Sequence, residues 1–90
     1  MKFEWDQQKA NSNLKKHGVT FQEATTIFGD MLSVTFDDPD HSVNERRLIT
    51  FGVSRTDKLL VVSHTERNES MRIISVREMT KQERCMYEEG

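Results

Sequence analysis

Apolar residues recur along this chain at two different spacings. They are sparse and helical in period over the first thirty or so positions, then strand-like from Arg46 onward. "KFEW" (Lys2–Trp5) predicts a short first strand, and Asp6 stands where an N-cap would. A helix follows over about Gln7–Lys16, with Ala10 and Leu14 four apart on one narrow buried stripe and Gly18 placed to end it. In "VTFQEATTIFGD", Phe21, Ala24, Ile27 and Phe28 fall at helical spacing. Thr20 and Glu23 precede them as a Thr-x-x-Glu capping box, a pairing in which two orphan amides are satisfied reciprocally. Gly29 closes this second helix, and "MLSVTF" (Met31–Phe36), with its β-branched residues, predicts a strand.

The polar, acidic stretch Asp37–Glu45 carries the one proline and reads as a loop. Three strand-like runs come next. "RRLITFGVS" alternates, with Ile49, Phe51 and Val53 on one face; "KLLVVSHTE" is apolar for four residues, as in a central strand; "MRIISVRE" closes the series. "RTD" and "RNE" mark the turns, and such short connections argue for an antiparallel meander. A second Thr-x-x-Glu box, Thr80 and Glu83, opens a last helix over Lys81–Glu89. The predicted order is β-α-α-β-β-β-β-α: an α+β fold with two N-terminal helices, a twisted antiparallel sheet and one C-terminal helix, all in a single domain over residues 1–90.

Composition narrows the class of protein. With 34% apolar and 31% charged residues the chain is polar but folded, and at 90 residues its stability is marginal. No run approaches a membrane span, and the N-terminus lacks the apolar core of a secretory signal. The single cysteine, Cys85, cannot form an internal disulfide. Together these lead to the expectation of a cytoplasmic protein. The net charge of −2 does not advertise a nucleic-acid partner, but its distribution is uneven. Residues 1–45 hold four Lys/Arg against eight Asp/Glu, and residues 46–90 hold nine against seven. Seven of those nine are arginines, the residue suited to bidentate phosphate contacts.

Few residues carry candidate chemistry. His17, beside Gly18, is accounted for by a favourable position at a helix C-terminus. Capping accounts equally for Glu23. His41, among Asp37, Asp38 and Asp40, fits no metal-loop spacing, and no metal or cofactor is expected. His64 lies near a strand end on the face of Leu60 and Val62, where two readings stand: a general acid or base, or a hydrogen-bonded histidine of the sheet. Strict alternation puts Arg72 with Ile74 and Val76 on one side of the last strand, and Arg77 with Ile73 and Ser75 on the other. On the last helix Arg84 and Tyr87 share a face at i, i+3, although Arg84 could instead pair with Glu88 at the surface. Cys85 sits beside Glu83 and Glu88, which disfavour its thiolate. Such residues could cut RNA without a metal. The 2′-hydroxyl would attack the adjacent phosphate, with proton transfer by His, Glu or Tyr and charge stabilisation by Arg.

Several segments together closely resemble the BrnT toxins of bacterial type II toxin–antitoxin systems: "KFEWDQQKANSNLKKHGVTFQEATTIFGD", "DPDHS", "ERRLITFGVS", "LLVVSHTER" and "RIISVREMTKQERCMYEE". Phe3–Asp6, Lys16–Val19, Phe28–Asp30 and the Arg72–Arg77 strand are the most specific parts, and the match runs over almost the whole chain in order. The resemblance implies a RelE-like fold and a ribonuclease that arrests translation. It also implies a BrnA-type antitoxin with a ribbon-helix-helix segment, through which alone operator DNA would be contacted. It implies a catalytic surface near the terminal strand and helix, here His64, Arg72, Arg77, Arg84 and Tyr87, with Arg77 as phosphate clamp and His64 or Tyr87 for proton transfer. The lysine-rich strand of some RelE-like toxins has no counterpart beyond Lys58. The alternative is a non-catalytic partner that stabilises a DNA-binding antitoxin. RNA cleavage by the purified chain separates the two.

Overall fold

The computed structural model describes residues 2–41 and 45–89; the side chain of His41 and residues 42–44 of the acidic loop lie outside the described residues. Among the described residues, one five-stranded sheet carries three helices. The strands are β1 (Lys2–Glu4), β2 (Val34–Asp37), β3 (Arg47–Val53), β4 (Leu59–Arg67) and β5 (Ser70–Glu78). The helices are α1 (Gln7–His17), α2 (Phe21–Thr25) and α3 (Lys81–Glu89), with 3-10 turns at Thr26–Gly29 and Pro39–His41.

The sheet order is β1-β5-β4-β3-β2. The β2–β5 part is the expected antiparallel meander, and β1 adds to its far edge in parallel, with Phe3 opposite Met71. The chain leaves β1 through two helices before the meander begins. That crossover allows β1 and β5 to run the same way, which a tight hairpin would not. Asn68 and Asp57 take positive φ in the two hairpin connections, at 54° and 65°, a backbone region that Asn and Asp tolerate better than most residues.

One face of the sheet is buried under the helices. Leu60, Val62, Ile73 and Val76 on the sheet meet Ala10, Val19, Phe21, Ala24 and Ile27 from the helical layer. Each large side chain fully removed from water here stabilises the fold by roughly 1.5–3 kcal/mol. Gly52 permits the closest approach of the layers, since a Cβ there would stand 3.1 Å from that of Ile27. The expected grouping of Ile49, Phe51 and Val53 holds, but they lie on the opposite, open face; Leu48, Thr50 and Gly52 are the buried set.

Three local expectations are corrected. First, Met31 and Leu32 form an exposed turn rather than the start of β2, because the Asp30 carboxylate accepts the Leu32 amide at 2.9 Å and bends the chain. Second, Leu14 of α1 is 46% exposed, and Asn13 is buried in its place. The Asn13 amide donates to Val76 O (2.8 Å) and Val19 O (3.2 Å) and accepts the Val76 amide (3.1 Å), so it satisfies β5 where the short β1 has already ended. Third, the Thr20 box is one-sided. Thr20 Oγ1 accepts the Glu23 amide, but the Glu23 carboxylate accepts the hydroxyls of Ser54 and Thr56 and so ties α2 to the β3–β4 turn. Those two hydroxyls, Thr56 first, hold its pKa below the usual carboxylate range. Among the described residues no helix is long and apolar enough to cross a membrane.

Candidate functional site

The β4–β5 ladder changes phase in its middle. Ser63 pairs with Ser75, but His64 pairs with Ile73, so Ile74 is an extra residue on β5. This bulge resets the alternation. Met71, Ile73 and Val76 are buried under the helices, and Arg72 and Arg77 both fall on the open face, opposite Thr65 and Val61. The expected placement of the two arginines on opposite sides is thereby overturned: they stand five positions apart, and the bulge supplies the missing half-period. Ser63 and Ser75 lie half-buried between them, and the Thr65 hydroxyl is buried without a hydrogen-bond partner among the described residues.

The second Thr-x-x-Glu box is reciprocal, as expected. Glu83 N donates to Thr80 Oγ1 at 3.1 Å, and Thr80 N donates to Glu83 Oε1 at 2.8 Å. The same carboxylate receives both ends of the Arg77 guanidinium, Nη1 at 2.7 Å and Nη2 at 2.9 Å. The start of α3 is thus hinged on Arg77 through a planar, bidentate pair. Arg77, aided by the Thr80 amide and hydroxyl, holds the Glu83 carboxyl down to about 2, against the cost of its partial burial.

At the far end of α3, Tyr87 donates its phenol hydrogen to Asp30 Oδ2 at 2.5 Å. Asp30 also accepts Val53 N at 3.0 Å and Leu32 N at 2.9 Å, and these bonds, the tyrosine's first, keep it ionised below its usual range. Burial, and then the bond to ionised Asp30, push Tyr87 up to about 12. Tyr87 is therefore a fixed proton donor at neutral pH. Arg84 is exposed and makes no ion pair among the described residues; its expected alternative with Glu88 is not formed. Since α3 buries none of its residues fully, these two side-chain anchors at its ends hold it on the sheet.

His64 lies behind the sheet, on the helical side with Leu60 and Val62, and is 1% exposed. Its Nε2 meets Thr50 Oγ1 at 2.7 Å, Thr50 meets Thr35 at 2.7 Å, and Phe28 stacks edge-on with ring centroids 5.0 Å apart. Its Nδ1 has no hydrogen-bond partner among the described residues. Desolvation lowers its pKa to about 4. Of the five residues singled out in the sequence, Arg72 and Arg77 share one face of β5, Arg84 is exposed on α3, Tyr87 is tied to Asp30, and His64 lies behind the sheet.

The open face also presents features that the sequence reading passed over. Phe36 is 56% exposed and packs edge-on against Phe51, with centroids 5.9 Å apart, beside Ile49 and Val34. Their alternation within β2 and β3 was the available signal. Glu83 was read only as a cap; its spacing from Arg77 across a strand–helix junction was the clue to the pair. Among the described residues no group of three or more His, Cys, Asp or Glu side chains is arranged to hold a metal ion.

An open sheet face with two arginines from β5, flanking serines, an exposed aromatic edge and a helix that supplies a carboxylate and a phenol has the parts to bind a phosphodiester and move protons around it. The family described as "Ribonuclease toxin, BrnT, of type II toxin-antitoxin system" matches residues 5–83. Among solved structures, the Brucella abortus ribonuclease toxin BrnT superposes with a TM-score of 0.71 at 23% identity, over 90% of this chain and 99% of that one, so the fold is shared. No curated protein sequence matches significantly. The class is thus the ribonuclease toxins of type II toxin–antitoxin systems. Within it, this chain belongs to the BrnT family, an endoribonuclease family whose members are partnered by an antitoxin.

Proposed function

We propose that this toxin cleaves RNA on its open sheet face by internal attack of a 2′-hydroxyl, without a metal, and so arrests translation in the cytoplasm. The observation that carries this reading is the placement of Arg72 and Arg77 on one face of β5, with Arg77 joined to Glu83 of α3. Arg77 turns from Glu83 to the scissile phosphate, and Arg72 and Arg84 add positive charge for the transition state. Once Arg77 leaves it, Glu83 loses the strongest influence holding its pKa down. It then accepts the 2′-hydroxyl proton as the new O2′–P bond forms. The P–O5′ bond breaks, and the 5′-oxygen takes a proton from Tyr87, leaving a 2′,3′-cyclic phosphate and a 5′-hydroxyl. Phe36 and Phe51 offer rings for an unstacked base. His64 acts on this face only through the sheet, by fixing Thr50 and Thr35.

The partner in this reading is a BrnA-type antitoxin that covers the same face and carries the ribbon-helix-helix segment for operator DNA. The test is RNA cleavage by the purified chain in EDTA, wild type beside Arg77→Ala, with circular dichroism as the folding control. Cleavage that survives EDTA and is lost in the folded variant is expected. A folded wild type that leaves RNA intact, with and without ribosomes, overturns the reading.

A further inference from the structure

A second concave surface lies beside this face. Between α1 and the outer edge of β5 runs a groove of about 440 Å³, lined by Lys9, Ser12, Asn13, Lys16, His17 and Ser75 among others. Its volume falls in the range of ligand-binding clefts. The geometry follows from one clamp. Asn13 is locked to the backbone of Val76, the residue before Arg77, by two hydrogen bonds. Lys9 precedes Asn13 by four residues and Lys16 follows it by three, so both share its face of the helix, about 10 Å apart along the axis. The clamp therefore brings a pair of lysines over the strand that carries Arg77. Asp6, the acidic residue at one end, is committed to capping α1, accepting Gln8 N at 2.8 Å and Lys9 N at 3.2 Å. Lys9 and Lys16 are exposed, and neither is joined to a carboxylate among the described residues. Ser75 belongs to both surfaces, since it lines the groove and pairs with Ser63 on the open face.

We propose that the α1–β5 groove is an extended RNA subsite in which Lys9 and Lys16 hold backbone phosphates of the nucleotides flanking the cleaved bond. The subsite rests on the ribonuclease reading above, and it adds a path for the strand. RNA leaves the Arg72–Arg77 face past Ser75 and continues along α1. His17 and Ser12 line that path and supply further hydrogen-bonding groups. The contacts are to phosphate, so this part of the grip is indifferent to sequence. Lysine suits it, because a point charge at the end of a flexible stem follows a mobile single strand.

The probe is a short single-stranded RNA with 2′-O-methyl groups, which binds but lacks the attacking hydroxyl. Its affinity is measured by fluorescence anisotropy across a salt series for wild type, for the Lys9→Gln/Lys16→Gln double variant and for Lys15→Gln, a lysine outside the groove lining. Each lost phosphate contact on a single strand flattens the plot of log affinity against log salt by about 0.7, so the double variant should lose about 1.4 in slope and bind about 25-fold more weakly near 0.1 M salt. Lys15→Gln should keep the wild-type slope. Wild-type binding with an unchanged slope in the double variant overturns the subsite and leaves the ribonuclease reading standing. The same loss in Lys15→Gln as in the double variant also overturns it, since the effect is then one of net charge. A wild type that neither binds this probe nor cleaves unmodified RNA overturns both.

Discussion

Arg72 and Arg77 face the same side of β5, and Ile74 is the unpaired residue of the ladder that makes this so. The bulge puts both guanidinium groups of β5 on one surface where regular pairing would leave one. Their roles can be tested separately. Arg77→Ala should lower the cleavage rate by about a hundredfold, the scale of losing one preorganised group that stabilises transition-state charge. Arg77→Lys should recover little, because a lysine cannot reproduce the planar two-point grip. The Arg77–Glu83 pair is partly solvated, so stability should fall by less than about 1 kcal/mol. Single-turnover cleavage beside urea unfolding distinguishes a catalytic loss from a folding loss.

Tyr87 should matter as an acid and not as a base. Its pKa is pushed up to about 12, so it stays protonated where an ordinary tyrosine would ionise near 10. If it protonates the leaving oxygen, the wild-type cleavage rate should show no fall on the alkaline side up to about pH 10. Tyr87→Phe should lower the rate by at least about a hundredfold and stability by about 1 kcal/mol, the worth of one hydrogen bond. A Phe variant that cleaves as fast as wild type removes the tyrosine from the chemistry.

His64 should make the toxin sensitive to mild acid. Its folded-state pKa is about 4 against an ordinary 6.5. Between those values the unfolded chain binds the proton and the native state does not, so stability is full above about pH 6.5 and falls as the pH drops toward 4. The integrated loss is on the order of 3 kcal/mol. Glu83 adds a loss of the same sign at lower pH, from 4.5 toward 2, as its pair with Arg77 is titrated. The two windows are separable by urea unfolding midpoints taken between pH 7 and 3. A His64→Phe variant should erase the upper window and keep the lower one.

Much of the scaffold is legible in the chain. The meander follows from the alternation in β3 and the apolar run in β4, and the α3 start follows from Thr80 and Glu83. The side of the sheet on which His64 stands was readable from Leu60 and Val62, but its full burial was not, because that depends on Phe28 from a distant turn. The joint face of Arg72 and Arg77 was hidden, because "MRIISVRE" contains no glycine or other mark of a bulge. The parallel β1 was hidden too, since three residues of strand carry no sign of their partner. Met31 and Leu32 misled through their apolarity: they are 97% and 76% exposed, and the chain around them is set by hydrogen bonds to Asp30.

Asn13 is the residue that periodicity would least have suggested, and it carries a sharp expectation. It stands in a polar run, "KANSNLKK", where Leu14 was the natural core choice. Yet the helix turns Asn13 inward because β5 extends beyond the last residue of β1 and leaves the Val76 amide and carbonyl without a strand partner. Removing that side chain leaves both groups buried and unsatisfied, a cost of about 3 kcal/mol. Asn13→Ala should show this as a lower urea midpoint. Asn13→Asp should be no better, since it keeps one acceptor for the Val76 amide but loses the donor to two carbonyls and buries a charge. Unclamped, α1 would no longer hold Lys9 and Lys16 over the strand of Arg77. At temperatures where Asn13→Ala remains folded, its RNA binding should therefore weaken with the same flattened salt slope as the double lysine variant. Unchanged stability and unchanged slope together would show that the amide ladder to β5 is not what joins the helix to the sheet.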